Sequence, residues 1–375
     1  MRDPLTVNAL PGILGLEAYS PGMPIEELQR RLGLHDVVKL ASNENPLGPS
    51  PSVTAALRAA LDGNLALYPD GSGHRLKQAI GRYHDIDPNC ITLGNGSNDI
   101  LEFLGRIYAG PGRAVLFSAH AFAVYSLVAQ AQDADAVVAP ARPADDAQPY
   151  GHDLEAFAEA LQRRPDVSLV FIANPNNPTG TFLTAEAVEA FLNRVPPQVI
   201  VAYDEAYYDY MDPSLRGDSR DWLRRFPNLL VCRTFSKAYG IAGLRAGYAL
   251  SSPAVADLLN RVRQPFNLNS LALVAAEAAL ADQAHVAASV ALNSRERQRL
   301  TDACTGLGLR VLPSEANFIT VDFGRDAKPV HQGLLERGVI VRPMGSYAMP
   351  HFLRISVGTE RENDRFLDAL SAVLA

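Results

Sequence analysis

From residue 113 to residue 250, short apolar runs rich in β-branched residues alternate with longer stretches of helical periodicity. The runs at 113–118, 136–139, 168–173, 198–203, 229–234 and 246–250 read as strands. Stretches such as 154–164 and 185–193 read as helices between them. Apolar strands joined through helices imply a mainly parallel sheet covered on both faces. In such a sheet, ligands sit beyond the carboxyl ends of the strands. The alternation therefore sets both the fold class, α/β, and the place to look for chemistry.

The last third reads differently. A helical pattern over 252–307 is broken near 265–270. Short strands follow near 309–312, 317–322, 338–341 and 352–357, flanked by helices near 330–337 and 360–374. This α+β pattern defines a second, smaller domain over 266–375, beside a large α/β domain over 41–265. A chain of 375 residues is long enough for both. Residues 1–40 carry no sheet of their own. They are expected to form an arm packed on the small domain or on a partner subunit. The Pro-rich, polar piece at 140–150 reads as a surface loop.

Composition narrows the function. Apolar residues make up 47% and charged residues 20%, enough to bury a large core. The net charge is −7 with no basic run, a poor match for nucleic acid or an anionic membrane. No uninterrupted apolar stretch reaches membrane-spanning length. The Ala-rich stretch at 271–292 carries Glu277, Asp282 and His285 and reads as packed helix. Cys90, Cys232 and Cys304 are scattered, with no CxxC. That fits a reducing compartment and argues against disulfides or a zinc site, so no metal is expected. The first residues lack a positive region followed by an apolar run, so no signal peptide and a cytoplasmic location are expected.

Several strand ends carry polar groups. NPNNPTG (174–180) is a rigid turn with short hydrogen-bonding side chains, or an ordinary polar turn. Asp204 could hold a cationic group in a crevice, or cap a helix. Lys237 follows an apolar strand, beside hydroxyls and before glycines. A desolvated lysine there can act as nucleophile or base, whereas most lysines are simply solvated. GNGSND (94–99) leads into a helix and could cradle a phosphate, though its glycine spacing is neither a P-loop nor a dinucleotide fingerprint. Phe122 could stack on a planar ring or sit in the core. Together these groups match pyridoxal phosphate, with its ring, phosphate, phenolic oxygen, pyridine nitrogen and aldehyde.

ANPNNPTG (173–180), YDEAY (203–207), TFSKAYGIAGLRAGY (234–248) and LRISVG (353–358) occur in that order. With them, nearly the whole chain resembles the fold-type I pyridoxal-phosphate aminotransferases. SNENPLGPSP (42–51) and LALYPDGSGHRL (65–76) resemble the histidinol-phosphate aminotransferase subgroup. The resemblance implies a seven-stranded-type sheet domain with a smaller C-terminal domain, and pyridoxal 5'-phosphate as cofactor. It implies that Lys237 is the Schiff-base lysine and proton shuttle. Asp204 would pair with the pyridinium nitrogen, and Tyr207 and Asn177 would bond the phenolic oxygen. Phe122 would stack on the ring. Gly96, Ser97, Asn98, Thr234, Ser236 and Arg245 would hold the phosphate. Phe122 replaces the Tyr or Trp often found there, which keeps stacking and loses a hydroxyl.

By the same resemblance, Arg354 and Arg342 would bind the substrate's carboxylate or phosphate, with hydroxyls from Tyr19 and Tyr68. Tyr68 would come from the neighbouring subunit of a homodimer. A surface ion pair is the other reading of Arg342. The implied reaction interconverts histidinol phosphate and 2-oxoglutarate with imidazole acetol phosphate and glutamate, in histidine biosynthesis. The partners would be a small amino donor and a keto acceptor. Other readings are an aromatic amino-acid aminotransferase acting on phenylalanine or tyrosine, and a lyase like the threonine-phosphate decarboxylases. A transcription regulator with an aminotransferase-like module would need a DNA-binding segment for which the acidic chain leaves little room.

Overall fold

The computed structural model describes residues 6, 8–17, 22–63 and 65–375. In chain order its strands are β1 (Val38–Leu40), β2 (Ile91–Gly94), β3 (Ala114–Ser118), β4 (Asp135–Ala139), β5 (Val167–Ala173), β6 (Ile200–Asp204), β7 (Leu229–Thr234) and β8 (Gly247–Ser251). Then come β9 (Arg310–Val311), β10 (Phe318–Asp322), β11 (Val339–Pro343) and β12 (Phe352–Ser356). They form two sheets. The larger has the order β2-β8-β7-β6-β5-β3-β4 and the smaller β1-β11-β12-β10-β9. In the larger sheet β8 alone runs against its neighbours, antiparallel to both β2 and β7.

Alternate residues of the central strands feed two cores. Val170, Ile172, Val201, Tyr203 and Val231 face one. Leu169, Phe171, Ala202, Leu230 and Cys232 face the other. Because successive strand side chains point to opposite faces, a strand that is apolar at every position must be covered on both sides. Helices Leu154–Arg163 and Ala185–Leu192 cover the first face through Phe157, Val188 and Phe191. Helices Ser97–Tyr108 and Ala123–Ala131 cover the second through Phe103, Leu104, Tyr125 and Val128.

Two features refine the sequence expectation, the first while keeping the arm on the small domain. Val38–Leu40, assigned to an arm with no sheet of its own, is a strand that pairs in parallel with Val339–Val341 of the small sheet. Helix Ser270–Ala281, assigned to the smaller domain, packs Ala272, Ala275, Ala276 and Ala279 into the first core of the large sheet. Helix Gln283–Gly306 then bridges the two units. Val286 lies in that same core, while Leu300 and Cys304 lie in the core of the small sheet. Among the described residues no single helix is long and apolar enough to cross a membrane. The two helices just named pass together on length and composition but meet at 76°.

Candidate active site

The carboxyl ends of β5, β6 and β7 open onto a cavity of about 440 Å³. Its wall brings together Ser97, Asn98, Phe122, Asn177, Asp204, Tyr207, Thr234, Ser236, Lys237, Arg245, Arg342 and Arg354. These residues are up to 257 positions apart, from Ser97 to Arg354, and the fold alone gathers them. Gly96 borders the cavity as the N-cap of helix Ser97–Tyr108. Tyr68 does not reach it. That side chain is 81% exposed and stacks on Phe266 at 4.7 Å between ring centroids. Tyr19 lies outside the described residues.

The loop after β5 divides its labour. Asn174 Nδ2 donates to Tyr203 Oη (2.7 Å) and to the Leu183 carbonyl (3.0 Å), and Leu183 N–H donates back to Asn174 Oδ1. Asn176 Nδ2 donates to the His120 carbonyl and to Thr179 Oγ1 (2.8 Å each). Those two side chains pin the turn, and Asn177 is left to face the cavity.

At the cavity floor Asp204 is 5% exposed. Tyr125 Oη donates to its Oδ2 at 2.9 Å, and Ala206 N–H donates to Oδ1 at 3.1 Å. Burial still dominates and pushes the carboxyl up to about 6. A buried carboxylate with so few donors favours a cation beside it. Lys237 Nζ donates to the Ser42 carbonyl at 3.1 Å. Burial, reinforced by the charge of Arg354, lowers its ammonium to about 8. Tyr207 Oη accepts from Asn43 Nδ2 at 2.9 Å, and burial pushes the phenol up to about 12 against the opposing Arg354 charge.

A second cluster sits at the start of helix Ser97–Tyr108. Gly96 has φ +81°, and a Cβ there would lie 2.5 Å from Arg245 Nη2. A Cβ on Gly247 would lie 2.3 Å from Ser97 N. Glycine at both positions lets the backbone amides at the helix start approach the guanidinium. Arg245 Nη1 donates to Ser236 Oγ (3.4 Å), and Ser236 N–H donates to Thr234 Oγ1 (3.1 Å). A helix N-terminus with an arginine and three hydroxyls is an anion site.

The small sheet supplies the far wall. Arg342 of β11 and Arg354 of β12 are cross-strand partners and both are buried. Arg354 Nη2 donates to the Ala41 carbonyl at 2.8 Å and Nη1 donates to Asn177 Oδ1. Buried guanidiniums on one cavity suit an anionic substrate group.

Sequence reasoning missed two participants. Tyr125 stacks on Phe171 at 4.6 Å and reaches Asp204 from the next helix. Its only signal was its place three residues after Phe122. Asn43 lies within the noted SNENP motif. Its φ of +56° lets its N–H donate to Ser356 Oγ (2.8 Å) while its amide reaches Tyr207.

The donor set fits pyridoxal 5'-phosphate. A buried carboxylate matches the pyridinium nitrogen and a lysine amine matches the aldehyde. An aromatic edge matches the ring, and the Gly96–Arg245 cradle matches the phosphate. A mainly parallel α/β sheet with such a site defines a pyridoxal-phosphate-type transferase. Residues 35–370 match the family model described as aminotransferase class I and II, and the chain belongs to that family. It is 54% identical over 369 residues to histidinol-phosphate aminotransferase 2 of Pseudomonas aeruginosa, covering 98% of each chain. It is 50% identical over 360 residues to histidinol-phosphate aminotransferase 1 of Idiomarina loihiensis, covering 96% of each. The crystal structure of histidinol-phosphate aminotransferase from Sinorhizobium meliloti in complex with pyridoxal-5'-phosphate superposes with a TM-score of 0.90. The two are 32% identical, and 98% of each chain is covered.

Proposed function

We propose that this chain is a pyridoxal-phosphate-dependent aminotransferase that interconverts histidinol phosphate and 2-oxoglutarate with imidazole acetol phosphate and glutamate. The observation that carries the reading is the pair Arg342 and Arg354, side by side on β11 and β12, facing the cavity that holds Lys237 and Asp204. Histidinol phosphate and imidazole acetol phosphate carry a phosphate, glutamate and 2-oxoglutarate carry carboxylates, and a two-arginine wall accepts both. The names of the Pseudomonas and Idiomarina relatives support the same substrate.

When bound, pyridoxal 5'-phosphate would supply an aldehyde for the amino group and an electron-withdrawing ring beside the substrate carbon. Asp204 would keep a negative charge against the ring nitrogen, with its carboxylate oriented by Tyr125 and Ala206. Lys237 Nζ would hold the cofactor at rest and move the proton at the substrate Cα once released. Its lowered pKa makes the neutral amine accessible near neutral pH. Tyr207, held by Asn43, and Asn177 would bond the phenolic oxygen. Phe122 would stack on the ring. Gly96, Ser97, Asn98, Thr234, Ser236 and Arg245 would hold the phosphate.

The same reading makes the enzyme a homodimer in which Tyr68 enters the neighbour's site. Tyr68 is supported in that role by its exposure, and by exposed Leu61, Leu65 and Leu67 just before it and Phe266 stacked on it. Tyr19 would add a further hydroxyl to the substrate's anionic end. The free, largely buried cysteines agree with a cytoplasmic setting.

The test is the visible spectrum of the purified holoenzyme during separate additions of histidinol phosphate and phenylalanine. Bleaching of the lysine-bound cofactor band by histidinol phosphate and hardly by phenylalanine is the expected result. Bleaching mainly by phenylalanine would make it an aromatic aminotransferase with the same catalytic residues. Carbon dioxide release would make it a lyase.

A further inference from the structure

A second cavity, of about 380 Å³, lies behind the floor of the active site. Strand alternation explains its position. Asp204 and Thr234 point from β6 and β7 into the first cavity, whereas Arg233, one residue before Thr234, points to the opposite face. The other walls are the end of helix His74–His84, with Tyr83 and His84, and the segment from Tyr208 to Arg220.

Arg233 is unusual. Its side chain is only 9% exposed. Nε donates to Glu205 Oε2 at 2.6 Å, and the guanidinium lies over the Tyr208 ring, 3.6 Å from its centroid. Among the described residues its two Nη atoms have no hydrogen-bond partner, although the group lines the cavity. A buried guanidinium with half of its fork unused is costly unless something in the cavity completes it. The nearby charges are not all free. Arg216 uses Nε and Nη2 on the Met211 and Asp209 carbonyls, and Arg220 pairs with Asp218 through Nε and Nη2. Glu205 is held by Arg233 and by Ser219 Oγ (2.6 Å), and buried Asp209 faces the same arginines. Arg220 leaves Nη1 outside that pairing and lines the same cavity as Arg233. The field there is positive enough to act on His84. Burial first, and then Arg233 and Arg220, lower its imidazole to about 3, so the ring stays neutral.

We propose that this cavity is a binding site for a small oxyanion, a phosphate or a carboxylate group, held by the Arg233 Nη fork and Arg220. A guanidinium whose Nε is tied to a carboxylate still offers two parallel N–H donors, the geometry that phosphate and carboxylate oxygens accept bidentately. The volume admits an anion with a short organic stem, not a macromolecule. Glu205 and Arg233 adjoin Asp204 and Thr234 in the chain, so the bound anion stiffens the strand ends that carry the cofactor groups.

Holoenzyme crystals soaked in millimolar inorganic phosphate, and in parallel in acetate, test this. The expected result is density bridging Arg233 Nη and Arg220. Phosphate alone there identifies a phosphate-bearing ligand, and acetate alone a carboxylate. Arg220→Gln should weaken the site by about tenfold, the value of one charge-assisted hydrogen bond. It should leave transamination without added anion unchanged. Arg233→Lys keeps a cation beside Glu205 and removes the fork, and should empty the site in a folded enzyme. Water alone in the cavity in both soaks would overturn the proposal. So would equal occupancy in wild type and both variants.

Discussion

The large sheet offers its functional side chains where strands end, and the small sheet offers them from the middle of paired strands. Asp204 and Thr234 close β6 and β7, and Lys237 lies just beyond. Arg342 and Arg354 are interior to β11 and β12 and face each other across the ladder. The strand ends have backbone and loops free to shape themselves around a cofactor. The mid-strand arginines are fixed in spacing by register, which suits clamping the charged end of a substrate. Under the proposed function, the large unit would carry the groups for chemistry and the small unit those for recognition.

That division can be broken by mutation. Lys237→Ala should take turnover below detection and remove the cofactor's visible band. Loss of a general base alone costs about 10²–10⁴-fold, and the covalent anchor goes with it. An active Lys237→Ala would place the chemistry elsewhere. Asp204→Asn should still bind cofactor while kcat falls by about 10²–10³-fold, as for removal of one preorganised electrostatic partner. Steady-state kinetics at saturating cofactor would read this directly, and near-normal kcat would show that Asp204 only holds the strand end.

On the recognition side the effects should be smaller and should fall on KM. Arg354→Ala should raise KM for glutamate by about 10²-fold, two charge-assisted hydrogen bonds. Arg342→Ala should spare phenylalanine and weaken histidinol phosphate. Equal loss for both substrates would make Arg342 a structural residue and erase the contrast between the sheets. Tyr125→Phe should cost about tenfold in cofactor affinity, because one oxygen of buried Asp204 loses its donor. Equilibrium titration of apoenzyme would measure it.

The smallest effect is pH dependence. Only the neutral amine of Lys237 can attack the aldehyde, and its pKa is lowered to about 8. The rate of cofactor capture by apoenzyme should therefore climb as pH rises toward 8 and level off above it. Stopped-flow absorbance would follow it. A rise that continues to pH 10 would mean the lysine is solvated.

The same contrast governs what could be read from sequence. The large sheet was legible because each strand is an apolar run, and its strand ends carry residues whose chemistry announces itself in order along the chain. Lys237, Asp204 and Asn177, each ambiguous alone, were singled out by their place at strand ends and by the ordered motifs, and they line one cavity. Tyr125 and Asn43 act across 79 and 164 residues, so nothing local marks their targets. The Arg233–Glu205 pair was hidden for a similar reason. Strand parity assigns it to the opposite face, but only the fold shows a cavity there. β1 is three residues long and carries no period of its own. Its strand character comes from β11.

That last pairing fixes an order of events in time. Strands β2 to β8 all lie within the first 251 residues, so the large sheet can close while the rest of the chain is still being made. β1 emerges early but must wait about 300 residues for β11. At synthesis rates of about 5–20 residues per second that is a delay of roughly 15–60 s with an unpaired edge. A shortened N-terminus that removes residues 38–40 would not trim a tail. It would delete one edge strand of the sheet made last.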